Sequence, residues 1–294
     1  MDEEAESNGR SVAARIRQSL GRMTPTERRP ALTLLANYPV AGLETVAQFA
    51  GRARVSGPTI LRLVAKLGFA SYLDFQKALR DELELRVQTP LAKAPPEAGS
   101  PPRGDFLSDY AGAIVANIEA SIADVSRGEF EAAVSLLADS KRRVLLLGGR
   151  FTSSLAVHLY FHLRELRPRV ELVGGQTAGW PEHLLDLSRN DVLIVFDIRR
   201  YQDDVVRFAR EAAAIGAHVI LFTDIWVSPI AAIAAHVFSM RTTLPSSWES
   251  FAALSALSEA LIARLHAERW DDSRRRMERL EALRGHLEAR EGEQ

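Results

Sequence analysis

From Val12 to Met23 the apolar residues recur at helical spacing, with Val12, Ile16, Leu20 and Met23 on one stripe. Thr24-Pro25-x-Glu27 has the form of a helix start: a threonine cap, proline in the first turn, and a glutamate placed to reach back to the cap. The helix it opens runs through Leu32 and Leu35 and stops near Tyr38-Pro39, because a residue preceding proline resists the α conformation. Val46, Ala47, Phe49 and Ala50 then form a short stripe. A turn follows at 51–55, and Ser56 caps a second helix with Pro58 in its first turn and Ile60, Leu61, Val64 and Leu67 as its buried stripe. Gly68 suits the left-handed residue that ends such a helix. Beyond residue 104 the pattern changes. Helical stretches at 105–125 and 129–137 lead into five apolar runs of strand length: Arg143 to Leu147, Val170 to Val173, Val192 to Phe196, His218 to Phe222 and His236 to Met240. Helices lie between them, including one that carries Leu155, Leu159 and Leu163 and one from Asp203 to Ile215. Strands that are apolar throughout and separated by helices imply a parallel sheet covered on both faces.

The segment 89–104, TPLAKAPPEAGSPPRG, has little to pack and several prolines, so it reads as a linker between two domains. The expected organisation is a helical domain at 10–88, the linker, an α/β domain at 105–270, and a charged helix or tail at 271–294, with residues 1–9 disordered. At 294 residues, 47% hydrophobic and 26% charged, the chain can bury two ordinary cores. It has no cysteine, which excludes disulfides, thiolate metal sites and cysteine nucleophiles. The polar start MDEEAESNGR lacks the basic and apolar regions of a signal peptide, and no apolar run approaches bilayer length, so the expectation is a cytoplasmic protein without membrane contact.

A net charge of -1 gives no overall pull towards nucleic acid, but the charge is unevenly placed. Between Arg10 and Lys66 there are ten basic residues and two acids, Glu27 and Glu44. Two short helices joined by a tight turn, with small Ala47 and Ala50 at the expected close approach, have helix-turn-helix geometry. Such a unit places the start of its second helix in the major groove. Arg54, Ser56, Gly57, Thr59, Arg62 and Lys66 are therefore the candidate contacts to double-stranded DNA: hydroxyls for phosphates or base edges, Arg62 for a bidentate contact to guanine, and the other cations for phosphate neutralisation. The alternative is a helical bundle with a solvated basic face.

The residues Phe49-Ala50, Val55-Ser56-Gly57-Pro58-Thr59-Ile60-Leu61-Arg62 and Lys66-Leu67-Gly68-Phe69, followed by Tyr72 and Phe75, resemble the helix-turn-helix domain of the RpiR/MurR-type transcriptional regulators. The resemblance runs from about Val12 to Leu85 and implies DNA contact by Ser56, Thr59 and Arg62.

In open parallel sheets, ligands bind beyond the carboxyl ends of the strands. The first strand end here, Gly148-Gly149-Arg150-Phe151-Thr152-Ser153, offers glycines for close backbone approach, hydroxyl donors, and a following helix start with free amides for an anion. A tight turn with a Ser/Thr cap is the simpler alternative. The second, Asp197-Ile198-Arg199-Arg200-Tyr201-Gln202, sets charged groups at the end of an apolar strand. Arg199 or Arg200 can hold a phosphate or carboxylate there, unless an Asp–Arg pair only fixes the loop. At the third, Thr223-Asp224 with Ser228-Pro229, a turn and helix cap is the favoured reading. The candidate ligand set is Gly148, Gly149, Arg150, Thr152, Ser153, Asp197, Arg199, Arg200 and Gln202. No Gly-x-Gly-x-x-Gly or Walker motif occurs, and no cofactor is expected.

From about Phe106 to Ala267 the chain resembles the sugar isomerase (SIS) domain that follows the helix-turn-helix in the same regulators. The resemblance implies a three-layer α/β sandwich around a five-stranded parallel sheet. It departs from the family at two motifs. The usual Gly-x-Gly-x-Ser is Gly148-Gly149-Arg150-Phe151-Thr152 here, and the usual Ser-x-Ser-Gly-x-Thr, whose hydroxyls bind a sugar phosphate, is Asp197 to Gln202. Fold and domain order carry over. The arginine-rich loop suits a small anionic metabolite, either a phosphosugar or a carboxylate whose amino group meets Asp197.

No catalytic set stands out. His158 and His162 share a helix face without a carboxylate partner or a zinc motif, His183, His218 and His236 show no triad pattern, and Ser153 lies in no nucleophile elbow. The expectation is therefore a non-enzymatic, ligand-controlled DNA-binding regulator. A sugar-phosphate isomerase with an accessory DNA-binding domain, and a regulator whose SIS domain only dimerises, stand as alternatives. A homodimer or homotetramer on a pseudo-palindromic operator is expected, with the Trp248 to Arg264 helix (Leu254, Leu257, Leu261, Ile262) contributing to the interface.

Overall fold

The computed structural model describes residues 11–87 and 104–291. The expected disordered start at 1–9, nearly all of the linker at 89–104, and the last three residues lie outside the described residues.

The first domain comprises α1 (Val12–Ser19), α2 (Pro25–Ala36), α3 (Val40–Leu43), α4 (Val46–Ala53), α5 (Gly57–Lys66) and α6 (Tyr72–Val87). Val12, Ile16, Leu34, Phe49, Ile60, Leu63, Phe75 and Leu79 form its core. The start of α2 is set as expected: the Thr24 side chain accepts from the Glu27 amide and the Glu27 carboxylate accepts from the Thr24 amide. Thr45 and Gln48 make the same reciprocal pair at α4. The turn to α5 is made by Arg54, which adopts the left-handed conformation with φ 52° and ends α4.

Two details of the predicted helix packing are corrected. Leu61 does not belong to the buried stripe of α5; it is 48% exposed, and Leu63 takes its place beside Ile60, Val64 and Leu67. Ala47 is exposed, and the small residues at the close approach are Ala50 and Ala53. Each error adds to a correctly phased stripe the apolar neighbour of one of its members, Leu61 after Ile60 and Ala47 after Val46, and one position is a turn of roughly 100° around the axis.

The second domain begins with α7 (Phe106–Asp124) and α8 (Arg127–Ala138). It continues β1 (Val144–Gly148), α9 (Ser153–Leu166), β2 (Val170–Leu172), α10 (Glu182–Leu185), β3 (Val192–Phe196), α11 (Asp203–Ile215), β4 (His218–Asp224), β5 (His236–Met240), α12 (Ala252–Glu268) and α13 (Trp270–Glu291). The five strands form one parallel sheet in the order β2-β1-β3-β4-β5. Alternate residues of each strand serve opposite faces. Val144, Leu146, Ile194, Phe196 and Phe222 pack under α8, α9 and α12. Leu145, Leu147, Leu193, Val195 and Leu221 pack under α11 and under Trp180 and Ile230. This is the three-layer arrangement predicted from the apolar strands.

Leu254, Leu257 and Leu261 of α12 are buried in this core together with Leu265, so the stripe expected at a subunit interface is used within the chain. The charged C-terminal helix α13 docks along α9 rather than standing free. Arg276 Nε donates to the Arg164 carbonyl at 2.8 Å, and Arg284 pairs with Glu165 at 3.2 Å. Arg167 fastens the far end of α8: its guanidinium is fully buried and donates to the carbonyls of Leu137, Asp139, Arg142 and Pro168. No helix among the described residues is long and apolar enough to cross a membrane.

Candidate functional site

Helix α5 buries Ile60, Leu63 and Val64, which turns Ser56, Pro58, Leu61, Arg62, Ala65 and Lys66 outward. Arg54 is exposed in the turn before it. Ser56 sits at the capping position, yet its hydroxyl bonds to no amide of the helix. It lies 2.9 Å from the Thr59 hydroxyl, which also accepts from Arg62 Nη2 at 3.1 Å. Thr59 itself is buried. The hydroxyl predicted to read DNA is thus an internal strut that ties Ser56 to Arg62. Gly57 is half-buried against Val46. Lys66 is turned towards α2, where it donates to the Arg22 carbonyl at 2.8 Å and pairs with Glu27 at 2.9 Å. That hydrogen bond, with the Thr24 amide adding to it, holds the Glu27 carboxyl down at about 2. Arg54 and Arg62 meet no carboxylate among the described residues. The exposed face at the start of α5 therefore presents Arg54, Ser56, Leu61 and Arg62.

A second feature lies in the other domain. After β1 the chain crosses to one edge of the sheet and after β3 to the other, with α9 and α11 on opposite faces. Such a reversal opens a crevice at the strand ends. A cleft of about 560 Å3 occupies this place, lined by the β1 and β3 loops and by the loop after β5. It brings together Gly149, Arg150, Thr152, Asp197, Arg199, Arg200 and Gln202 of the predicted set. Gly148 and Ser153 are not on its wall.

The two glycines have different reasons. A Cβ on Gly148 would lie 2.5 Å from the Ser153 amide and the Thr152 carbonyl, so the backbone leaves no room for one. On Gly149 it would meet side chains alone, crowding that of Gln202 and touching the Thr152 hydroxyl at an ordinary 3.5 Å. The Thr152 hydroxyl is buried, donates to the Phe196 carbonyl at 2.6 Å and accepts from the Gly149 amide at 2.8 Å. The Gln202 side-chain oxygen accepts from the Arg150 amide, which clasps the two loops together. The amides at the start of α9 are not open, contrary to expectation: Ser153 N donates to Gly149 O at 2.8 Å and Leu155 N to Thr152 O at 3.0 Å. The Ser153 and Ser154 hydroxyls turn back onto the carbonyls of Arg150 and Phe151.

The two arginines of the β3 loop also divide. Arg199 is buried, pairs with Glu249 at 2.5 Å, and lies over the Trp226 ring at 3.8 Å. Glu249 also accepts from Thr242 at 2.7 Å. Arg199 is therefore a structural ion pair joining the β3 loop to the loop after β5, formed with a partner 50 residues away rather than with Asp197. Arg200, beside it, is exposed, and like Arg150 forms no ion pair among the described residues. Asp197 is 2% exposed and accepts from Ser228 Oγ at 2.5 Å; burial pushes its carboxyl up to about 7. Asp224 is fully buried, and burial raises its pKa even though it accepts from the Arg199 amide, the Tyr201 hydroxyl and the Trp226 and Val227 amides. The third strand end thus does what was expected of it, with Asp224 organising the turn and the Ser228 hydroxyl accepting from the Ile230 amide at 3.2 Å.

Seven cleft residues lie outside the predicted set: Phe151, Ile198 and Tyr201 within the two motifs, and Ser247, Trp248, Glu249 and Phe251 in the loop after β5 and at the start of the helix it leads to. Extending the strand-end rule to β5 would have pointed to Trp248 and Glu249. No group of three or more metal-ligating side chains occurs among the described residues.

Residues 10–85 match the helix-turn-helix domain of the rpiR family, and residues 136–264 match the SIS domain. No curated protein matches the chain. Among solved structures, the sugar isomerase domain of an RpiR transcription factor from Sphaerobacter thermophilus is 24% identical, with TM-score 0.56, over 61% of this chain and 99% of that one. The Vibrio vulnificus NanR protein, complexed with ManNAc-6P, is 16% identical with TM-score 0.53 over 94% of this chain and 99% of its own. An Escherichia coli CFT073 protein in complex with A5P is 16% identical with TM-score 0.50, over 60% and 95% respectively. At these identities the likeness is one of fold. The two domain matches, in this order along the chain, make this protein a member of the RpiR-type family, with that family's helix-turn-helix followed by a SIS domain.

Proposed function

We propose that the chain binds duplex DNA through α5 and that a small anionic metabolite in the strand-end cleft controls that binding. The observation that carries the reading is the outward face of α5. Its buried stripe fixes the orientation, and Arg54 and Arg62 have no carboxylate partner among the described residues, so both are available for phosphate or guanine. Ser56 adds a hydroxyl donor, and Thr59 holds Arg62 in place. In the cleft, Arg150 and Arg200 supply positive charge at the place where sheets of this topology bind ligands. The regulator architecture, a helix-turn-helix domain followed by a SIS domain, favours a sensor over an isomerase. The bound sugar phosphate of the NanR structure supports an anionic effector for this fold. Paired copies on a two-fold operator complete the reading.

Fluorescence anisotropy of labelled DNA from upstream of the chain's own gene tests it. Binding that weakens steeply with salt is expected, and absence of binding at low salt would refute the DNA-binding reading. Turnover of sugar phosphates by the purified protein would instead favour the isomerase.

A further inference from the structure

The cleft loops differ in what they leave available. Of the three side-chain hydroxyls on the wall, Thr152 is committed to the Phe196 carbonyl and Tyr201 to Asp224, which leaves Ser247. Glu249 is taken by Arg199 and Thr242. A polyol needs a partner for each hydroxyl it buries, and a buried hydroxyl without one is penalised. The open groups are of another kind. Phe151 is 56% and Trp248 61% exposed, although both are large aromatic rings. Their rings meet edge to face with centroids 6.2 Å apart, and the Arg150 guanidinium lies over Phe151 at 5.0 Å. The β1 loop and the loop after β5 therefore present a cationic and aromatic rim, and Arg200 adds a second cation from the β3 loop.

On the footing that this cleft is the effector site, we propose that it takes an organic anion carrying a planar aromatic ring, an aryl carboxylate or aryl phosphate. Arg150 and Arg200 take the charge, and the ring packs against Trp248 and Phe151. Aromatic pairing and burial of the ring make this face more favourable for an aryl group than for a hydroxylated one. The cleft volume of about 560 Å3 is in the range of small-molecule sites.

The test uses the full chain and four probes: inorganic phosphate, phenyl phosphate, benzoate and glucose 6-phosphate. Affinities are measured by calorimetry in the wild type, Trp248→Ala and Arg200→Ala. Phenyl phosphate is expected to bind about ten-fold more tightly than inorganic phosphate or glucose 6-phosphate. Trp248→Ala is expected to remove that preference while leaving inorganic phosphate unchanged, and Arg200→Ala to weaken every anion. Tighter binding of glucose 6-phosphate than of phenyl phosphate would overturn the aryl assignment and leave the effector site standing. So would an aryl preference that survives in Trp248→Ala, or a Trp248→Ala variant that only changes the oligomeric state. Absence of binding by all four probes would overturn the effector site itself.

Discussion

Asp197 offers a test in which the magnitude comes directly from the structure. Its carboxyl is buried beneath the cleft, bonded to Ser228, and holds its proton up to about pH 7, against 3.8 for an ordinary aspartate. The folded chain therefore keeps this proton at pH values where the unfolded chain has released it. The stabilisation is fully present below about pH 4 and is lost as pH rises through about 7. Between pH 5 and pH 8 the loss integrates to about 2.5 kcal/mol. Asp197→Asn keeps the volume and a hydrogen bond to Ser228 but cannot ionise. Urea unfolding of both proteins at pH 5, 6, 7 and 8 isolates the effect, because Asp224 and all other groups titrate in both. The difference between variant and wild type should move by about 2.5 kcal/mol in the variant's favour from pH 5 to pH 8, or about 5–10 °C in melting temperature. Parallel pH profiles for the two proteins would show that the carboxyl is ionised in its buried site, and would refute the reasoning.

Arg199→Ala strands the Glu249 carboxylate in a site with little access to water, so urea unfolding should show a loss of about 3–5 kcal/mol; a loss below about 1 kcal/mol would contradict the buried pair. Gly148→Ala should unfold at distinctly lower temperature than Gly149→Ala, because the first methyl meets backbone and the second a movable glutamine; equal melting temperatures would contradict the loop geometry. Leu61, turned outward beside Arg62, is placed to touch a thymine methyl. In duplexes selected by the wild type, replacing thymine with uracil at one position per half-site should weaken binding about three- to ten-fold, and Leu61→Ala should abolish that sensitivity.

Much of this architecture is legible in the residues. The uniformly apolar strands at Val192 to Phe196 and His218 to Phe222 announce a sheet with two covered faces, and each expected strand pairs in parallel. Thr24-Pro25-x-Glu27 forms the cap it describes, because capping is a contact between residues three apart. What local pattern cannot resolve is the phase of a helix whose face carries too many apolar residues, as with Leu61 against Leu63 on α5. Nor can it show partners remote in sequence. Arg199 and Arg200 are adjacent and chemically identical, yet one is buried on Glu249 and the other is open. The difference arises from a glutamate 50 residues away that reaches the cleft only because β5 ends beside β4. Thr59 and Thr152 follow the same logic: both stand at motif positions, and both use their hydroxyls to hold the site together.

The most direct test of DNA reading by α5 is the ratio of affinities for a selected duplex and for a scrambled one, measured at a single salt concentration in the wild type and in Arg62→Ala. Arg62→Ala is expected to lose about 1–3 kcal/mol on the selected duplex and much less on the scrambled one, so that discrimination collapses. An unchanged ratio would mean that the outward face of α5 does not lie in the groove.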